Sequence, residues 1–163
     1  MPKDLTIYRF SCGPGNIGEG ADPFGPTVRD PFTFVEKVKI AQKLGFDALQ
    51  FHDDDAVPAL DSLSPAEIAK QARATKQILT DNSLEAEFVA PRLWFSPRTI
   101  DGAYTANDPA DRAYAVERSI KAIDIAHELG TNLMVLWLAR EGTYVREAKS
   151  VPCAMQYLVE AIN

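Results

Sequence analysis

Histidine and cysteine are both scarce in this sequence, with two of each among 163 residues. Cys12 and Cys153 stand far apart and neither belongs to a CxxC pair, which excludes a disulfide framework and a thiolate zinc pattern. Positive charge is also short. A net charge of -6 and a pI near 4.9 leave no basic face for a phosphate backbone, so nucleic acid is not an expected partner. No apolar run reaches the roughly 20 residues that cross a bilayer, and no membrane partner is expected. The opening "MPKDLTIYRFSCG" has no cationic stretch ahead of a long apolar core; it does not read as a signal peptide, and a cytoplasmic location follows as the expectation. There is no GxSxG, and neither cysteine neighbours a histidine in sequence. "GPGNIGEG" is rich in glycine but lacks both the Lys-Ser/Thr ending of a phosphate-binding loop and the GxGxxG spacing of a dinucleotide fold.

What is present is the composition of an ordinary globular protein, 46% hydrophobic and 25% charged, with enough chain for one domain. Strand and helix patterns alternate along it. "LTIYRFS" (5–11) reads as a strand, followed by a long loop rich in Gly and Pro. A helix over 31–44 aligns Phe34, Val35, Val38, Ala41 and Leu44 and stops at Gly45. "DALQFH" is the second strand. The second long helix starts at "SPAE", with Ser64 as cap, Pro65 at the first helical position and Glu67 closing a capping box, and it ends near Asp81. "LEAEFVA" (84–90) is the third strand, and the loop after it, about 17 residues long, exceeds the usual connection in a compact domain. Asp108-Pro109 opens a third helix with Ala113, Val116, Ile120 and Ile123 as its stripe, "NLMVLWL" is a fourth strand, and a last helix aligns Val151, Met155, Leu158 and Ile162. This alternation implies an α/β fold with parallel strands, either an open doubly wound sheet or a (β/α) barrel. Both bind ligands beyond the C-terminal ends of their strands.

The residues at those ends are the candidates for chemistry. His52 closes the second strand in "FHDDD", where Asp53, Asp54 or Asp55 can orient its ring and raise its basicity. The same run reads equally well as a solvated acidic turn. Trp94 and Trp137, the two tryptophans of the chain, both fall at strand ends and can wall an apolar slot for the carbon face of a sugar, although large aromatics also serve as core filler. Arg140 and Glu141 can bind substrate, ligate a metal or form an ion pair that fixes their loop, the last being the commonest outcome for an adjacent Arg and Glu. His127, near a helix C-terminus, reads as structural.

"ADPFG", "FHDDD", "TIDGAYTAND", "HELGTNLMVLW" and "REG" occur in the order and approximate spacing of the xylose isomerases, and from Tyr8 to Asn163 the chain resembles the N-terminal half of that family. The resemblance implies a TIM (β/α)8 barrel of which residues 1–163 supply about the first four βα units, a single incomplete domain. It implies aldose–ketose isomerisation, D-xylose to D-xylulose with D-glucose to D-fructose as a side activity, assisted by two divalent ions, Mg, Mn or Co. His52 then assists ring opening, Asp55 orients it, Trp94 and Trp137 face the sugar, and Phe24 reaches into a neighbouring subunit's pocket in a dimer or tetramer.

Two departures touch the pocket: the loop after the first strand has no tryptophan, and Ala90 stands where a threonine often contacts substrate. A third touches the chemistry. The family's metal ligands and its lysine come from the fifth strand onward, so no metal ligand is assigned to this chain, and Asp53 and Asp54 are left as turn residues. A typical barrel needs about 250 residues, and four parallel units leave unpaired strand edges that favour association. The other readings are a catalytically silent half-barrel module, a metal-dependent sugar epimerase and an endonuclease IV-like nuclease. The acidic pI argues against the last.

Overall fold

The computed structural model describes residues 8–18, 20, 25–26 and 28–163. Three short strands, β1 (Ser11–Cys12), β2 (Ala48–His52) and β3 (Glu85–Ala90), lie side by side in chain order and are all parallel. β2 is paired on both edges, Ser11 facing Ala48 on one side and His52 facing Ala90 on the other. Its side chains alternate as the pleat requires. Leu49 and Phe51 are buried against the helices, while Gln50 and His52 turn to the opposite face.

The helices begin and end where local chemistry dictates. α1 (Phe34–Leu44) starts three residues later than the periodicity predicts, because Thr33 caps it and closes a box with Glu36. Pro31 therefore lies outside it. Gly45 ends α1 at φ 84°, a left-handed conformation that suits glycine. α2 (Asp53–Ala56) is a single turn made by the aspartates themselves. α3 (Pro65–Asp81) carries the predicted Ser64 to Glu67 box, and α4 (Pro109–Leu129) stops at Gly130, φ 91°. α5 (Val151–Ile162) follows the last loop.

Hydrogen bonding to the caps holds the Glu36 and Glu67 carboxyls below the usual range, Thr33 and Ser64 being the donors. A carboxyl lowered by folding stabilises above its unfolded pKa, and that contribution is lost as pH falls through the folded value. We therefore expect Ser64→Ala to cost about 1 kcal/mol at neutral pH and less in acid, where Glu67 is already protonated. Urea midpoints at the two pH values measure the difference.

The core lies between the sheet and the helices, with Val38, Leu49, Phe51, Ile68, Leu79, Val89 and Ile125 fully or nearly fully buried. Two expectations fail here. α4 buries Ala115, Ser119, Ala122, Ile125, Ala126 and Leu129, whereas Ile120 and Ile123 of the predicted stripe are about half exposed. Small residues win this face because α4 packs closely against α3 and β3. The fourth strand is reduced to a parallel bridge of Met134 with Val89, made by bonds of 3.2 Å (Val89 N to Leu133 O) and 3.0 Å (Val135 N to Val89 O). Beyond that bridge Trp137 and Leu138 are exposed. No further strand lies against this edge among the described residues, which leaves little to straighten it into a full ladder. No helix among them is long and apolar enough to cross a membrane.

Candidate functional site

The C-terminal ends of β2 and β3 gather the candidates. His52 is the last residue of β2 and the cap of α2, and that turn brings Asp55 back beneath the imidazole. Asp55 Oδ2 lies 3.0 Å from His52 Nδ1 and accepts the His52 backbone N–H at 3.2 Å. Burial alone raises the Asp55 carboxyl, but the bonds from His52 and the charge of Arg92 outweigh it and hold the group below its ordinary range. An ionised carboxylate can only accept, so Nδ1 carries the hydrogen, and in the neutral imidazole the lone pair then lies at Nε2. The solvated-turn reading of "HDDD" therefore gives way to an oriented imidazole.

Trp94 stands edge-on to this ring, centroids 5.1 Å apart at 79°, and Trp137 lies 5.6 Å beyond Trp94 at 40°. The three rings form one aromatic row, whose far end, Trp137, is 60% exposed. Ala90, buried, puts only a methyl group beside His52. Phe24 lies outside the described residues.

Asp53 and Asp54 are more than turn residues. Asp53 is fully buried and grips the guanidinium of Arg118 on α4 through two bonds, 2.7 Å from Nε to Oδ2 and 3.0 Å from Nη2 to Oδ1. Its Oδ1 also accepts the backbone N–H of Asp54 at 2.9 Å and of Arg92 at 3.0 Å. Asp54 is pushed up by burial, which outweighs the nearby Arg92. The Arg92 side chain spans two carboxylates, 2.7 Å from Asp54 and 2.6 Å from Asp55.

Arg140 and Glu141 go separate ways. Arg140 Nε donates to the carbonyl of Trp94 at 3.3 Å. Glu141 accepts the backbone N–H groups of Ala103, Tyr104 and Thr105 at 3.0–3.1 Å and a bond from the Thr105 hydroxyl, pinning the long loop. His127 sits exposed in the last turn of α4, as its sequence position implies.

These acidic groups do not suit a divalent cation. Each of Asp53, Asp54 and Asp55 already faces a guanidinium, Glu141 is spent on backbone donors, and no group of three or more His, Cys, Asp or Glu gathers as a metal site among the described residues. Sequence reasoning missed Arg92 and Arg118. Arg118 had a readable signal: it lies on the face of α4 that otherwise carries Ala115, Ser119 and Ala122, and a charge on a small-residue stripe calls for a buried partner.

Residues 38–163 match the model of the xylose isomerase-like TIM barrel. The chain belongs to the xylose isomerase-like TIM-barrel family. It is 33% identical to the xylose isomerase of Thermus thermophilus over 164 aligned positions, which cover 100% of this chain and 42% of that protein. Against the xylose isomerase of Thermus caldophilus the figures are 32%, 100% and 42%. The chain thus spans less than half the length of these relatives. Among solved structures, a D-psicose 3-epimerase determined in the presence of D-fructose superposes with a TM-score of 0.53 at 16% identity, over 80% of this chain and 41% of that one. A xylose isomerase-like TIM-barrel protein from Mycobacterium smegmatis, in complex with magnesium, gives 0.51 at 15%, over 98% and 52%. At such identities the likeness is one of fold, and it agrees with the parallel βα units seen here.

Proposed function

We propose that in the natural protein this chain supplies the ring-opening base and the aromatic wall of an aldose–ketose isomerase site acting on D-xylose, with D-glucose as a secondary substrate. The observation that carries the reading is the His52–Asp55 pair: an imidazole at a strand end, held through Nδ1 by a carboxylate, with Trp94 edge-on to it and Trp137 beyond Trp94. In that role Nε2 accepts the proton of the anomeric hydroxyl as the C1–O5 bond breaks and returns that same proton to the ring oxygen, leaving an open-chain aldehyde and a neutral imidazole. Trp94 and Trp137 cover the carbon face of the sugar and exclude water. The divalent ions implied by the resemblance would be held by residues other than those described. Phe24 completes a neighbouring subunit's pocket in the same reading, within a dimer or tetramer.

The test is to incubate the natural protein with D-xylose and magnesium, manganese or cobalt and to assay for D-xylulose. Ketose formation supports the isomerase. Inversion at C3 of a supplied ketose, without aldose–ketose exchange, would replace it with the epimerase. Inertness toward both sugars would favour the silent module.

A further inference from the structure

Arg92 follows β3 by two residues, and its guanidinium meets Asp54 and Asp55 of α2 at once: Nε is 2.7 Å from Asp54 Oδ1 and Nη2 is 2.6 Å from Asp55 Oδ1. The other oxygen of Asp55 holds His52 Nδ1. The result is a relay of guanidinium, carboxylate and imidazole running from the end of β3 to the end of β2. Each member is partly shielded from water, with side-chain exposures of 22%, 21% and 30%. Phe95 covers the guanidinium from one side, 5.9 Å from its ring centre.

We propose that Arg92 is a positioning residue for His52, acting through Asp55. The inference rests on the role proposed above for His52. Its physical basis is that a carboxylate in this half-buried place has three options, to take a proton, to swing away or to be paired. Burial favours the first, and the adjacent Asp54, at hydrogen-bond range of the same cation, adds like-charge repulsion. A two-pronged guanidinium eases both difficulties, because it offsets part of the pair's negative charge and bonds Asp55 Oδ1, leaving Oδ2 to point at Nδ1. The charged and titratable groups around the relay are Asp53 and Asp54 on α2, Arg92 after β3, and Arg118 on α4. Arg118 is engaged mainly with Asp53 and stands 3.7 Å from Asp54. Arg92 is therefore the cation that bonds Asp55 directly.

The Arg92 backbone N–H bonds Asp53 whatever its side chain, so a substitution leaves the local chain anchored. In the natural protein, Arg92→Gln is expected to raise the titration midpoint of the Asp55 carboxyl by about one pH unit or more, read from its 13Cγ shift. With the imidazole in its neutral form, the 15N shifts of His52 should change from a dominant Nδ1–H form to a mixture of tautomers. His127, the other histidine, serves as an unchanged internal reference. Arg92→Lys keeps the charge and loses the fork, so it should restore the Asp55 midpoint but only part of the tautomer preference. Turnover of D-xylose in Arg92→Gln should fall roughly tenfold in kcat with little change in KM.

An Arg92→Gln protein whose His52 tautomer and Asp55 midpoint match the parent would overturn the proposal. A shift in both with turnover unchanged would instead leave Arg92 as the positioner and remove His52 from the chemistry, so the two readings fail separately.

Discussion

Under the proposed isomerase role, turnover of ring-closed D-xylose in the His52→Gln variant is expected to drop by roughly 10²–10⁴-fold, the usual worth of a positioned general base. Glutamine keeps a polar group of similar reach next to Asp55 Oδ2 and can still donate to it, so the turn of α2 and the packing of Trp94 survive. What disappears is the lone pair at Nε2. The loss should therefore fall on kcat, with sugar binding against Trp94 and Trp137 little altered. A three-carbon aldose that cannot close a ring bypasses the step assigned to His52, and its isomerisation should stay within a few-fold of the parent's. Equal losses on both substrates would show that His52 serves the carbon-centred step or the fold. Parent-like turnover on the closed sugar would sink its role altogether.

Much of this site was legible in sequence because strand ends and caps are local. His52, Trp94 and Trp137 each follow a short apolar run that could be read as a strand, and a parallel sheet delivers such positions to one rim. The Ser64 box, Pro65 at the start of α3 and the stop at Gly130 likewise depend on residues within one turn of each other. What escaped was set by contacts distant in sequence. Whether Asp53 is a turn residue or a buried anion depends on Arg118, 65 positions away, and the pairing of Asp55 with Arg92 spans 37. α4 illustrates the same limit. Hydrophobicity alone selected Ile120 and Ile123, but close packing against α3 selected the alanine face. Arg140 and Glu141, adjacent in sequence, were expected to pair. A three-donor backbone nest at 103–105 held the carboxylate instead.

Arg118→Met should be the most damaging single change to stability, at about 3–5 kcal/mol, the range for removing one partner of a buried ion pair. Burial works against the charge on Arg118, yet its bonds to Asp53 dominate and hold the guanidinium protonated far above its ordinary range. Methionine fills much of the space but leaves Asp53, fully buried, without its cation. Adding Asp53→Asn should recover part of the loss. The amide carries no charge, and its oxygen can still accept the N–H groups of Asp54 and Arg92. Adding Asp53→Leu should recover less, since both donors are then stranded at about 1–3 kcal/mol each. Urea unfolding of the parent, the single and the two double variants gives this order directly, and a single variant within 1 kcal/mol of the parent would refute it. The same anchor also bears on the site, because the bond from Arg92 N to Asp53 fixes the chain two residues before Trp94. Loss of Arg118 should then loosen the 5.6 Å contact of Trp94 with Trp137 and weaken their coupled circular-dichroism signal before global unfolding begins. A coupling that persists to the unfolding midpoint would show that the aromatic row is held by the 139–141 loop, through Arg140 on the Trp94 carbonyl, rather than from α4.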